Sequence, residues 1–257
     1  MRLLRSVLLA FSMFSRLPVP KVAWEEENMR YMLAGFPLIG AVIGLGLFVW
    51  SRLCQGLGFN TILTATGLSL IPLAITGGIH LDGFCDTIEA LSSHAQPSRK
   101  CEILKDPHIG AFAVMGLVAY LLLYFALCTE LPLTPQILWL LTCVHVLSRV
   151  LSAFSVVFFA KQSGSGSLRS FADAAQNAVV CPILYCLLVG CAAVLLAFSP
   201  VVGTLMLLSA GGCLAWLKSI SIKEFGGMRG DLAGFFLQVF EMTSLAILVL
   251  GIKGGLL

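Results

Sequence analysis

The amino-acid sequence predicts an all-α integral membrane protein. The expected form is a polytopic bundle of about seven transmembrane helices, preceded by an N-terminal amphipathic or re-entrant helix. Three observations carry this prediction. Of 257 residues, 58% are hydrophobic. Only 11% are charged, against about 25% in soluble domains. Apolar runs of about 20 residues, the length that crosses a bilayer, recur along the whole chain. No polar stretch is long enough for a second domain, so one membrane domain covers residues 1–257.

Each element follows in order. "MRLLRSVLLAFSMFSRLPVP" has the basic start and short apolar core of a signal peptide. It lacks a small-residue cleavage site, and Arg16 with two prolines follows directly, so a retained amphipathic or half-inserted helix is expected. Seven hydrophobic spans come next, at about 36–53, 60–79, 110–128, 136–159, 179–198, 200–217 and 235–252. The fifth and sixth are separated by little more than "SP", the mark of a tight helical hairpin. The nine cysteines lie mostly inside apolar runs, with no CxxC pair and no Cys/His cluster of zinc spacing. They read as small, reduced packing residues.

The basic residues orient the spans. With the N-terminus on one side, that side holds 1–35, 80–109, 161–177 and 218–234, which carry 13 of the 16 Lys and Arg residues. The positive-inside rule makes that side cytoplasmic, with the C-terminus outside. Eleven of the 13 acids fall on the same side. Charges of both signs gathered there suggest a cytoplasmic site handling metal and anion. A transporter would instead scatter ionisable groups along a path through the midplane. No nucleic-acid partner is expected; the lipid bilayer is one partner, and a homo-oligomer stays open.

The densest chemistry lies in "GGIHLDGFCDTIEAL", residues 77–91. Asp82, Asp86 and Glu89 are spaced i, i+4, i+7, so they share one face if the second span runs on as a helix. Three like charges on one stripe repel unless a cation lies among them. Hard oxygen ligands suit Mg²⁺, Mn²⁺ or Ca²⁺, and Mg²⁺ commonly joins carboxylates to substrate phosphates. The plain alternative is a solvated helix end. In "RKCEILKDPHIGAF", Arg99, Lys100, Lys105 and His108 surround Asp106, as phosphate clamps with a further ligand or base, or as headgroup anchors. "AKQSGSGSLRSF" places Lys161 and Arg169 around a Gly/Ser core able to approach an anion, and equally reads as a linker. In "KEFGGMRGDLAGFF", Arg229 and Asp231 sit among glycines at a membrane boundary, Asp231 either as ligand or as an ordinary N-terminal helix acid. Arg149 is predicted inside the fourth span, where an arginine costs about 2.5 kcal/mol or more and must face protein or water. Its partner is a carboxylate or a bound phosphate. Glu241, one to two turns into the last span, offers a structural ion pair.

"FSRLPVP", "FPLIGAVIGL", "GGIHLDGFCDT", "EILKDPHIGAF" and "GG-x-x-GD-x-x-G" occur in that order, and with them the chain resembles the cobalamin-5'-phosphate synthase (adenosylcobinamide-GDP ribazoletransferase) family over essentially its full length. The resemblance implies a Mg²⁺-dependent membrane phosphotransferase of late vitamin B12 assembly. It would join adenosylcobinamide-GDP to alpha-ribazole or its 5'-phosphate and release GMP. It also implies catalytic roles for Asp82, Asp86, Lys105 and Asp106, and a metal set of Asp82, Asp86, Glu89 and Asp231. The candidates for substrate binding are His80, Arg99, Arg149, Lys161 and Arg229. Five positions depart from the family pattern. Glu89 stands for a usual aspartate, with Ala90 where glycine normally follows; His108 replaces arginine, Arg229 threonine and Ala113 glycine. A CDP-alcohol phosphatidyltransferase fits less well, since its A-R and later acid repeat are missing. An ion transporter would need more midplane charges than Arg149 and Glu241.

Overall fold

A computed structural model describes residues 2–159 and 167–257, which are helical with no strand among them. The amphipathic helix α1 (Arg2–Phe14) buries Ser6, Leu9 and Ala10. It stops ahead of Pro18 and Pro20, which cannot donate to a helix ladder. A short α2 (Glu26–Met29) leads into the first crossing, α3 (Met32–Leu57). After α3 come α4 (Thr61–Thr76) and α5 (Ile79–Ser92). The short α6 (Pro97–Ile103) then precedes α7 (Ala111–Thr129) and α8 (Pro135–Phe159). The chain ends with α9 (Ser167–Ala174), α10 (Asn177–Phe198), α11 (Pro200–Phe225) and α12 (Gly230–Lys253).

Six of these, α3, α7, α8, α10, α11 and α12, are each long and apolar enough to cross a membrane. The seventh expected span corresponds to the bent pair α4 and α5, counted as one broken span. The second span does not run on straight through the acids. It breaks at Gly77 and Gly78, whose φ values of 67° and 82° lie in the left-handed region that only glycine enters without strain. As a result α5 turns 94° from α4. It then runs across the end of the bundle, from the first turn of α12 to the start of α7, and is not itself a crossing. The sixth span is also longer than its apolar run, because α11 continues to Phe225, where Glu224 pairs with the buried Lys100 of α6.

The two ends of the bundle separate cleanly. One end gathers the C-terminus of α1, the break after α4, α5, α6, and the starts of α7 and α12: Arg16 N donates to Ile75 O, Glu89 accepts from Ala113 N, and Gly83 lies against Asp231. The opposite end holds the Lys253–Glu130 ion pair and the Ser199–Leu256 hydrogen bond. At the centre α8 is buried nearly all round, as a helix apolar on every face should be. Its one cation, Arg149, pairs with Glu241 of α12, while Ser148 Oγ donates to the same carboxylate at 2.7 Å and Arg149 donates to His145 O at 2.9 Å. Glu241 therefore sits about three turns into its helix, deeper than expected, because α12 begins at Gly230 and not at 235.

Candidate functional site

The acids meet where α5 crosses α12. That crossing is unusually close. A Cβ on Gly83 would lie 2.8 Å from Asp231 O, and one on Gly234 would lie 2.9 Å from His80 O. Backbones approach this far only where both helices offer small residues. The contact sets Asp82 and Asp86 of α5 beside Asp231 in the first turn of α12.

Two cavities share this crossing. An open cleft of about 660 Å³ is lined by Asp82, Cys85, Asp86, Asp106 and His108, with Gly77 and Gly78 at its edge. A smaller chamber of about 200 Å³ lies between α1, α3, α8 and α12, lined by Phe14, Phe36, His80 and Val156, with Asp82 and Asp231. Asp82 belongs to both. On the far side of the cleft, Asp106 is held by His108, which donates from its backbone N–H at 3.0 Å and places Nδ1 2.7 Å away.

Electrostatics follow from this packing. Asp86 is pushed up to about 6, first by partial burial, then by the charges of Asp82 and Asp231. Burial, followed by the charges of Asp86 and Asp82, raises the Cys85 thiol to about 11, which leaves it protonated and no nucleophile. Asp106 goes the other way. The backbone and imidazole hydrogen bonds of His108 hold it below the usual carboxylate range. Burial keeps the His80 imidazole neutral, lowered to about 3.

These charges suit a hard cation bound jointly with a substrate. Among the described residues no three His, Cys, Asp or Glu side chains form a ready metal cage. What the cleft offers is a pair of carboxylates with a third beside them, open to solvent. Mg²⁺ binds in this way when one or two carboxylates hold it and substrate phosphates and water complete the shell. The donor set fits that mode.

The remaining sequence candidates divide. Lys105 is exposed beside Asp106. Arg229 precedes α12, half-buried, with its charge acting on Asp231. Neither of these two lines the cleft, and three more lie away from it. Glu89 is turned to α7, where Oε2 accepts the backbone N–H of Ala113 at 2.8 Å and the carboxylate fills the space over Gly110. It caps the start of α7, where orphan N–H groups and the helix dipole favour an acid, and the structure does not bring it to the cleft with Asp82 and Asp86. Arg149 is committed to Glu241 in the bundle interior and lines a separate small cavity. Arg99 is exposed and paired with Glu102 on α6, 2.7 Å away. Lys161 lies outside the described residues. Sequence reasoning missed the aromatic wall of Phe14 and Phe36 and the anchoring Lys100–Glu224 pair. It had no signal for either, since both depend on which helices meet.

Fold and site together define a polytopic helical membrane protein that presents carboxylates, over an open cleft, at one end of its bundle. Comparison with known proteins narrows this. The chain belongs to the cobalamin-5-phosphate synthase family, whose model matches residues 6–249. It is 41% identical to a Lachnoclostridium phytofermentans protein named adenosylcobinamide-GDP ribazoletransferase, over 97% of this chain and 95% of that one. Proteins of the same name from Clostridium perfringens and Clostridium botulinum are 31% and 30% identical over 96% and 95% of the chain, covering 98% and 96% of their own lengths. No solved structure matches the chain.

Proposed function

We propose that this protein transfers the adenosylcobinamide phosphate group of adenosylcobinamide-GDP to alpha-ribazole or its 5'-phosphate, releasing GMP. A ribose hydroxyl of the acceptor attacks the cobinamide-side phosphorus. The new O–P bond forms as the bridging P–O bond breaks, and its electron pair leaves with GMP. Such transfers are governed by positioning and by neutralising charge on the phosphoryl oxygens. The observation that carries the reading is the convergence of Asp82, Asp86 and Asp106 on one cleft, in a chain whose relatives bear this activity as their name.

Asp82 and Asp86 would hold Mg²⁺, with Asp231 beside them. When bound, the ion would neutralise charge on the pyrophosphate oxygens. Lys105, exposed next to Asp106, is placed to attract the guanylyl phosphate. Asp106, kept ionised by His108, is offered as acceptor for the hydroxyl proton. The end bearing the cleft is the cytoplasmic one in this proposal, because the Lys and Arg residues outside the spans concentrate there. The C-terminus then lies outside the cell membrane.

The test mixes purified chain, adenosylcobinamide-GDP, alpha-ribazole and Mg²⁺, and measures GMP together with the completed corrinoid. Stoichiometric release of both is expected. No product across Mg²⁺, Mn²⁺ and several detergents, from protein shown to be folded, would sink the assignment.

A further inference from the structure

The chamber behind the acids is smaller and less open than the cleft. It measures about 200 Å³ and is walled mainly by Phe14, Phe36, Leu33, Val156 and Leu237, with Ser152, Asp82 and Asp231 as further polar lining. Its imidazole, His80, is 5% exposed, and Nε2 has no hydrogen-bond partner among the described residues. A buried polar atom without a partner is costly, and beside a cavity it marks a place where a ligand can complete the structure. His80 stands in an aromatic cluster, its ring centroid 6.2 Å from that of Phe14 and 5.6 Å from that of Phe36. Flat heteroaromatic rings pack well against such faces.

Size and polarity select among the groups of the two substrates. Drug-sized ligands need about 300–1,000 Å³, so this chamber takes one fused bicyclic ring and excludes a corrin. Guanine carries several donors and acceptors on its edges, while the chamber's polar lining is confined to His80, Asp82, Ser152 and Asp231; each edge group left unpaired costs about 1–3 kcal/mol. The methylated benzimidazole of alpha-ribazole has an apolar edge and, once glycosylated, a single ring nitrogen able to accept. Position agrees. Asp82 lines both cavities, so a base in the chamber leaves its ribose at the carboxylate that also borders the cleft.

Resting on the function proposed above, we infer that this chamber is the acceptor's base pocket, with helix α1 as one wall through Phe14 and the aromatic cluster around His80 reading the ring. The amphipathic N-terminal helix then contributes to acceptor specificity besides lying on the bundle.

The test uses Val156→Phe, which fills the chamber from α8. Steady-state kinetics on the full chain are measured with each substrate varied in turn, together with equilibrium dialysis of alpha-ribazole. Expected is a rise of at least tenfold in the KM for alpha-ribazole, with the KM for adenosylcobinamide-GDP within twofold of wild type. An unmoved acceptor KM, as for a chamber filled by lipid, overturns the pocket while leaving the function standing. A rise confined to adenosylcobinamide-GDP, as for a guanine pocket, does the same. If wild type shows no transfer at all, the function fails and dialysis decides the pocket: binding lost in Val156→Phe supports it, and no binding by wild type overturns it. If Val156→Phe does not fold, Val156→Ala enlarges the chamber instead. It should raise kcat/KM for a tricyclic naphthimidazole ribonucleoside at least fivefold relative to alpha-ribazole. An unchanged ratio refutes the pocket.

Discussion

Gly83→Ala tests whether the α5–α12 crossing sets the catalytic geometry. The added methyl would lie 2.8 Å from Asp231 O and 2.9 Å from Asp231 Cα. Both are backbone atoms, so no side chain can swing aside. Ordinary contact begins at 3.4 Å, which requires the helices to part by about 0.6 Å. A misplacement of about 1 Å costs about a hundredfold in rate. The displacement here should therefore lower kcat by roughly tenfold to a hundredfold, or about 1.4–2.7 kcal/mol of transition-state stabilisation.

The assay is GMP release per folded protein, with melting temperature measured alongside. Two further glycines separate geometry from stability. A methyl on Gly203, in the α10–α11 hairpin at the opposite end, would lie 2.6 Å from Leu195 O, whereas Gly212 has nothing within 4 Å. Gly203→Ala should lower the melting temperature but keep kcat of the folded fraction within twofold. Gly212→Ala should change neither. Wild-type kcat in Gly83→Ala, or an equal kcat loss in Gly203→Ala, would refute the argument that the crossing positions the acids.

Asp82→Asn and Asp86→Asn should each lower transfer at least a hundredfold while the protein inserts and purifies normally; near-normal turnover in both removes the metal-site reading. Because Asp86 is raised to about 6 by burial and neighbouring carboxylates, it is protonated below that pH and ionised above it. The acid limb of kcat/KM should accordingly fall near pH 6 at low Mg²⁺ and move to lower pH as Mg²⁺ rises, since a cation favours the carboxylate; a limb indifferent to Mg²⁺ counts against Asp86 as a ligand. A carboxyl pKa raised by folding means that ionisation opposes folding, so Asp86→Asn should melt no lower than wild type at pH 8. Glu89→Gln keeps an acceptor for Ala113 N–H and should leave the Mg²⁺ titration midpoint within twofold, while Glu89→Ala loses about 1 kcal/mol of stability as an N-cap does; a tenfold higher Mg²⁺ midpoint in Glu89→Gln would support a metal role. Arg149→Met leaves Glu241 buried without its cation and should cost about 3–5 kcal/mol, largely recovered in the double variant with Glu241→Leu. Thermal melts in detergent check this, and full activity of the folded double variant is expected because neither residue reaches the cleft.

What could be read in advance follows the kind of physics involved. Hydrophobic length is a local property, so all seven spans lie near their observed positions, and the amphipathic α1 was legible from its own residues. Asp82, Asp86 and Asp106 stood out in the sequence because a carboxylate at a membrane boundary is costly unless something requires it, and all three line one cleft. Glu89 does not, and the reason is geometric. The i, i+4, i+7 spacing does place it on the stripe of Asp82 and Asp86, but the stripe curves past the start of α7, whose unpaired N–H groups compete for an acid. Nothing within residues 77–91 reports that α7 begins there. Arg149 shows the converse. Its burial was legible from cost alone, and of the two partners that cost allowed, a carboxylate or a phosphate, only the packing of α12 on α8 selects Glu241. The glycines carry the most information of all. Gly77 and Gly78 fall within the expected second span, yet their left-handed conformations end α4 and turn α5 through 94°. Gly83, a small residue between two acids, lets α12 come close enough to add a third. The motif "GGIHLDGFCD" thus encodes a bend, a contact and a pair of carboxylates on the cleft, and only the carboxylates declare themselves by charge.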